Sequence, residues 1–404
     1  MTRTFIGLAS GSSLFGVDAA LVRVDGVGES ASLKLEHFTH LPHSRELREL
    51  LWSVTASTAP ETRQVAMVHR VLGETYALAV RQLLQESRRN PQDVWCVACP
   101  GLTLWHAPEE RFAATMQLGM PSVLAERTGL TVISRLAERD LAVGGKGVPL
   151  TAAIDAKLLH QAQEHRVHLH LGSVATLVSL PAQLGMNGRN IVAFEAAPAT
   201  MLLDGLMRLL TNGREQYDAG GKHAVQGRCL EPLVERWLRN HFFQERPPRC
   251  VPRREFGQEF LSRAIEQARR LDGNLHDVLC TMTHFIASAI VHAIRTWLPA
   301  GVAKIVLSGR GVRNGFLWNL LEQKLAPIPL EKCDALGLPG EAIRAIGFAG
   351  LAARTLDGTP TNWPAITGAS GARVLGQLTP GTSDNWARCL AWMARQVTPL
   401  PLAA

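Results

Sequence analysis

The sequence predicts an α/β protein built as two lobes, and three observations carry that expectation. The chain has 404 residues, more than one ordinary hydrophobic core uses and suited to two lobes of about 150 to 200 residues each. An apolar run, a turn of small residues and a second apolar run open the chain at residues 5–22 and return at residues 167–180; this is a β-hairpin pattern restarted in mid-chain. Short apolar runs and stretches of helical periodicity fill the remainder.

In the first turn, Gly11 and Gly16 permit backbone angles closed to other residues, and small neighbours would let a ligand approach the main chain. Consecutive N–H groups could then converge on an anion. A tight hairpin without a ligand explains the same residues, so the turn has to be judged by its surroundings. Downstream, Thr58-Ala59-Pro60-Glu61 has the form of a helix start, with a capping threonine, a first-turn proline and a capping-box glutamate. Val65, Val68, Leu72, Tyr76, Val80, Leu83 and Leu84 continue it at three- and four-residue steps towards Asn90-Pro91.

Residues 94–99 read as a buried strand that delivers Pro100 to His106 to its carboxyl end, where open α/β sheets place ligands. Residues 130–134 read as a second strand, leading into Arg135 to Asp140 and the run Gly144-Gly145-Lys146-Gly147. After the second hairpin, a strand from Ile191 empties into a loop whose only ionisable group is Glu195, followed by a helix from Met201 to Leu210. Glu195 is a general-base candidate, against the plainer alternative of a solvated surface glutamate. Leu275 to Trp297 form a long helix with a wide apolar face, Lys304 to Leu307 a strand, Ser308 to Asn314 a glycine turn, and Phe316 to Leu325 a helix with Asn314 near its cap. In the tail, Trp386, Leu390 and Met393 are expected to form one face of a short helix.

Composition narrows the function classes. Hydrophobic residues make up 46% and charged residues 19%, a globular balance. No stretch of about 18 residues is uninterruptedly apolar and the start shows no leader segment, so neither a membrane span nor export is expected. Seven scattered cysteines favour reduced thiols in a cytoplasm. Cys96 and Cys99 lack a second ligand pair and read as core residues, so no metal ligand set is expected. His37, His40, His43, His168 and His170 read as surface residues. The net charge of +7 suits polyanions or phosphorylated small molecules. Its densest run, Arg246 to Arg254, is broken by prolines and lacks interleaved aromatics, which favours a solvated loop over a nucleic-acid surface.

Turns 9–16, 172–176 and 308–314, each following a strand, resemble the two phosphate loops and the adenosine loop of the actin, hexokinase and heat-shock-protein ATPase superfamily. The closer resemblance, over nearly the whole chain to about residue 378, is to anhydro-N-acetylmuramic acid kinases. That family opens Phe-Ile-Gly-x-Met-Ser-Gly-Thr-Ser-Leu-Asp-Gly-x-Asp, where this chain has Phe5-Ile6-Gly7-Leu8-Ala9-Ser10-Gly11-Ser12-Ser13-Leu14-Phe15-Gly16-Val17-Asp18. Thr103 with Trp105-His106, Gln117 with Gly119, Arg139-Asp140, Gly144 to Leu150, Met201 with Asp204, Arg313-Asn314, Phe348-Ala349 and Thr367-Gly368-Ala369-Ser370 extend the match in order.

The resemblance implies a two-lobed actin/hexokinase-like, ribonuclease H-like α/β fold with an interlobe cleft. The lobes would span 1–165, completed by 366–378, and 166–365, with 379–404 as an extension. It implies ATP and Mg as cofactors and an amino sugar as substrate: ATP phosphorylates the sugar's 6-oxygen while an aspartate-activated water opens the 1,6-anhydro ring, a step of cell-wall recycling. Gly11, Ser12, Ser13, Leu14, Phe15, Gly16, Val17, Asp18 and Gly172 would face phosphate, and Gly309, Gly311 and Asn314 the adenosine. Thr103, Trp105, His106, Arg135, Asp140 and Arg344 would face sugar, with Glu195 as base. Neither nucleic acid nor membrane is an implied partner, and a homodimer stays open.

The departures from the pattern matter equally. Phe15 replaces the first loop's aspartate and offers no oxygen to a hard cation. Ser173 and Thr176 replace a glycine and an asparagine, and Arg310 interrupts a glycine triplet. The segment Asp-x-Gly-Pro-Gly-Asn has become Glu195-Ala196-Ala197-Pro198-Ala199-Thr200, and Arg135 and Arg344 stand where the family has carboxylates. Two expectations follow, an active sugar kinase or a non-catalytic relative that binds a sugar, a nucleotide or a protein.

Overall fold

Alternation along the opening strand decides the first layer of the architecture. In the computed structural model, which describes residues 1–57, 59–185 and 188–396, Ile6 and Leu8 of β1 (Thr2–Ala9) share one buried core with Leu72, Tyr76 and Val80 of the helix Thr62–Ser87. Successive side chains point to opposite faces of a strand. A strand buried on both faces therefore reads as a continuous apolar run. β1 pairs antiparallel with β2 (Gly16–Asp25), which pairs antiparallel with β3 (Ser32–Pro42). β4 (Val94–Cys99) lies parallel on the other side of β1; β5 (Leu102–Ala107) and β6 (Ala114–Leu118) form a separate hairpin, and β7 (Thr131–Ser134) lies parallel to β4.

The same order returns in the second half. β8 (Arg166–Leu171), β9 (Val174–Leu180) and β10 (Ala193–Pro198) form an antiparallel meander, with β11 (Lys304–Ser308) parallel to β8 and β12 (Leu330–Lys332) parallel to β11. Sheet orders β3-β2-β1-β4-β7 and β10-β9-β8-β11-β12 are thus one topology used twice. The second core centres on the helix Leu275–Trp297, capped by the Asn274 side chain, whose Leu279, Phe285, Ile286 and Ile290 are fully buried. Each such side chain contributes about 1.5–3 kcal/mol. It is the one described helix long and apolar enough to cross a membrane, and 83% of its most apolar 18-residue stretch is buried.

Contacts divide the chain into residues 1–158 with 342–404, and residues 159–341. The expected second boundary near 365 is therefore displaced. The helix Ile343–Leu356, for which no element is expected, packs on the first sheet. β13 (Gln377–Thr379) adds antiparallel to β7, and the helix Ser383–Gln396 belongs to the same unit. Its inward face is Asn385, Cys389 and Trp392 rather than Trp386, Leu390 and Met393. Polar anchoring sets that face: Asn385 Oδ1 accepts from the Thr131 N–H at 2.7 Å, and its amide donates to Trp95 O at 3.1 Å.

Other local expectations change in tertiary context. Helix Thr62–Ser87 begins after Glu61, which offers no side-chain cap, and the expected cap Thr58 lies outside the described residues. β10 runs to Pro198, through residues expected to form a loop; Pro198 is tolerated because β10 is an edge strand. His43, His168 and His170 are buried, not surface residues. Arg249, in the run expected to be solvated, is 1% exposed with its guanidinium 4.6 Å from the Phe242 ring centre and 5.0 Å from that of Phe194.

Candidate active site

In the first unit, the turn between β1 and β2 holds the residues expected to grip phosphate. The Leu14 N–H donates to Gly11 O at 3.0 Å, and Leu14 itself takes the left-handed conformation (φ 58°) with its side chain in the core. The backbone freedom expected of the glycines is exercised by a leucine, at a cost of roughly 1–2 kcal/mol that packing must offset. Gly16 serves space instead: a Cβ there would stand 2.2 Å from Leu41 O. Val17 is fully buried behind it.

The polar lining of this turn is uneven. Ser10 Oγ and the Tyr76 hydroxyl lie 2.7 Å apart, and burial pushes the Tyr76 phenol well above its usual range, so it stays protonated. Ser12 Oγ is buried with no hydrogen-bond partner among the described residues, Gly11 is exposed and Ser13 half-buried. An orphan hydroxyl beside exposed main chain fits a phosphate oxygen. The residues present do not fit a hard cation: Phe15 carries no side-chain oxygen, and Asp18 is bonded to His40 Nδ1 at 2.8 Å across β2 and β3.

A second group gathers around β5. His106 Nδ1 lies 3.0 Å from Thr115 Oγ1, which also accepts from Gln117 Nε2 at 2.6 Å. Thr103 pairs with Gln117 and Trp105 with Met116, across a register shift that turns the strand. Asp140, expected to face sugar, is fully buried. Its carboxylate accepts from the Gly147 N–H at 2.7 Å, Asn362 Nδ2 at 2.7 Å and Thr367 Oγ1 at 2.8 Å. It is thus an internal anchor that shapes the 145–147 glycine loop, and Gly147 in turn lies beside His106. Arg135 is exposed, left-handed (φ 53°), and reaches Glu138 Oε1 at 3.4 Å. Burial first, and Arg135 second, hold the His69 imidazole below its ordinary pKa. Arg344 sits on the helix Ile343–Leu356 of this unit, donating to Thr151 Oγ1 at 3.1 Å.

In the second unit, glycines bring two turns together. Gly309 is left-handed (φ 86°), and a Cβ there would stand 2.5 Å from Leu171 O; one on Gly311 would stand 2.8 Å from Leu171 Cβ. The turn after β11 therefore lies on the end of β8, next to Gly172. Gly172 O and Ser173 O accept from the N–H groups of Thr200 and Ala199 at 3.1 and 2.9 Å, at the start of helix Thr200–Leu210. Asn314 caps the helix Gly315–Leu325, its Oδ1 accepting from the Leu317 N–H at 3.0 Å. Arg310 and Arg313 converge on Glu341 at 3.8 and 2.5 Å. Ser308 Oγ lies between His168 Nε2 and His170 Nδ1, at 2.7 and 2.8 Å.

Glu195 projects from β10 and is 5% exposed. Its Oε2 accepts from the Val251 N–H at 2.8 Å, and its Oε1 lies 3.9 Å from Arg253 Nη2. Arg249 donates to the carbonyls of Phe242, Glu245 and Ala196 at 2.9, 2.8 and 3.3 Å, locking the 249–253 segment against β10. Nothing in the basic run 246–254 signals this role, because a cation's partners are carbonyls contributed by distant elements.

A model of the anhydro-N-acetylmuramic acid kinase family matches residues 3–381. This chain belongs to that family. It is 35% identical to an anhydro-N-acetylmuramic acid kinase of Salinibacter ruber over 94% of this chain and 97% of that protein, and 33% identical to the one of Nitrosomonas europaea over 93% and 99%. Among solved structures it is similar to an activator of 2-hydroxyisocaproyl-CoA dehydratase from Clostridium difficile with bound ADPNP, at 12% identity and a TM-score of 0.43 over 87% of this chain and 94% of that one. This anhydro-N-acetylmuramic acid kinase family member has one sheet topology used twice and a small-residue turn after the first strand of each sheet. The surroundings of Phe15 and Glu195 are now defined: Phe15 lies in a turn whose nearby Asp18 is bonded to His40, and Glu195 is engaged by the distant 249–253 segment.

Proposed function

We propose that this family member binds an adenine nucleotide and a 1,6-anhydro amino sugar of the N-acetylmuramic acid type in the cytoplasm, and that its phosphoryl transfer is impaired or altered. The observation that carries the proposal is the 2.8 Å bond from the Val251 N–H to the Glu195 carboxylate. A general base has to reach the proton it abstracts. Glu195 is instead held by the distant 249–253 segment and faces Arg253, and a base misplaced by about 1 Å loses about a hundredfold in rate.

Nucleotide binding is supported by the orphan Ser12 hydroxyl and the exposed Gly11 main chain. When bound, ATP would supply the phosphoryl group, and Ser12 and Ser13 of the first unit would orient its phosphates. Magnesium is the weaker part of the fit, since Phe15 offers no ligand and Asp18 is bonded to His40. That mismatch favours a second reading, a non-catalytic relative that binds sugar or nucleotide without turnover, because phosphoryl transfer depends on positioning and charge stabilisation. The seven free cysteines suit a reducing compartment.

A coupled assay with ATP, Mg and 1,6-anhydro-N-acetylmuramic acid, paired with calorimetry of ATP alone, separates these readings. The expected result is measurable ATP binding with turnover far below the roughly 1–100 per second usual for kinases. Turnover within that range would overturn the proposal of impaired transfer. Absence of nucleotide binding would overturn its binding half.

A further inference from the structure

We propose that Cys229, Glu231 and His284 form a zinc-type metal site within the second unit. One sulfur, one carboxylate oxygen and one imidazole nitrogen of these residues all lie within 4.8 Å of one another. Around a tetrahedral zinc, donors at about 2.0–2.3 Å from the ion stand roughly 3.5 Å apart, so side-chain movements of about 1 Å close the set.

The backbone makes this juxtaposition. The Arg228 N–H donates to Asp277 Oδ1 at 2.7 Å and the Leu230 N–H to Thr281 Oγ1 at 2.9 Å, which lays residues 228–231 along the helix Leu275–Trp297 beside His284. The His284 ring is backed by Phe316, with centroids 5.6 Å apart and the rings edge to face. The fourth position goes to water.

The chemistry of the donor set selects the ion. Thiolate and imidazole suit zinc or another borderline metal and not magnesium, so the site is separate from the hard-cation chemistry of phosphoryl transfer. Thiolate, carboxylate and neutral imidazole together carry two negative charges, which a divalent cation neutralises. As the metal–sulfur bond forms, the Cys229 proton leaves to solvent. A bound ion would pin the start of the helix Glu231–Leu238 to the helix Leu275–Trp297.

The test uses the full chain, stripped with chelator and titrated with cobalt(II), whose thiolate charge-transfer and tetrahedral d–d bands report the site, then with zinc in competition. One equivalent of cobalt is expected to give both bands, and zinc to abolish them. Cys229→Ser should remove the thiolate band. His284→Ala should weaken affinity by at least the roughly 10–100-fold that loss of a mere outer partner costs. Glu231 is exposed, so Glu231→Gln leaves folding intact and should also weaken cobalt binding. Absence of bands at stoichiometric cobalt, a thiolate band that persists in Cys229→Ser, or unchanged affinity in Glu231→Gln would overturn the site.

Discussion

Glu195 and Val251, 56 residues apart, are joined by a 2.8 Å hydrogen bond from amide to carboxylate, and both residues are buried. Removing the acceptor leaves the N–H unsatisfied, at about 1–3 kcal/mol. Glu195→Ala is therefore expected to lower the unfolding free energy by that amount in urea denaturation, while Glu195→Gln, whose carbonyl can still accept, loses less. An alanine variant as stable as the parent would contradict the holding role.

Arg3 and Asp357 form a buried pair, with Nη1 to Oδ1 at 2.5 Å and Nη2 to Oδ2 at 2.9 Å. Asp357 also accepts from the Gly28 N–H and Trp392 Nε1, each at 2.8 Å. One carboxylate thus ties β1, the turn before β3 and the C-terminal helix. Asp357→Ala strands a buried guanidinium and is expected to cost about 3–5 kcal/mol, whereas the joint change Arg3→Met with Asp357→Leu should cost less, the Gly28 N–H and Trp392 Nε1 still losing their acceptor. Equilibrium denaturation of both variants checks the asymmetry.

His43 supplies a pH dependence. Burial first, then His40 and Arg48, pull its pKa from 6.5 to about 4. Between these values the unfolded chain binds the proton and the folded one does not, so stability rises with pH. The contribution is complete above pH 6.5 and lost as pH falls to about 4, a swing of about 3 kcal/mol at most. Denaturation of the parent and of His43→Leu between pH 7 and about 4 should show a shallower slope in the variant; parallel slopes would exclude His43 as the source.

Asp140 holds three internal donors and no solvent. Asp140→Ala is expected to destabilise the fold by several kcal/mol, at about 1–3 kcal/mol for each stranded group. Because the 145–147 loop should loosen as well, limited proteolysis is expected to cut there first.

Phe15 offers the clearest gain-of-function trial. Phe15→Asp places a carboxylate in a turn that now lacks a free one, and calorimetry should then show tighter ATP binding with magnesium than without. Equal affinities in both conditions would mean that the turn does not face the nucleotide's metal.

Much of this was legible without coordinates wherever the cause is local. The hairpins at 5–22 and 167–180, the strands at 94–99 and 304–307, and the Asn314 cap follow from residue alternation, turn chemistry and one short side chain's reach. Leu14 escaped because a left-handed leucine is permitted by core packing and not by its own preference. Asp140 and His168 escaped because burial of a polar group depends on partners far along the chain.

The amino-acid sequence by itself determined the two-lobed α/β class, the family and the positions of the small-residue turns, since periodicity and ordered motifs are written within a few residues of each other. Only the tertiary structure decided that Glu195 is engaged by Val251, that Arg249 is buried, and that the helix carrying Arg344 belongs with the first sheet. Those outcomes rest on hydrogen bonds and packing between segments tens to hundreds of residues apart, whose partners no local pattern names.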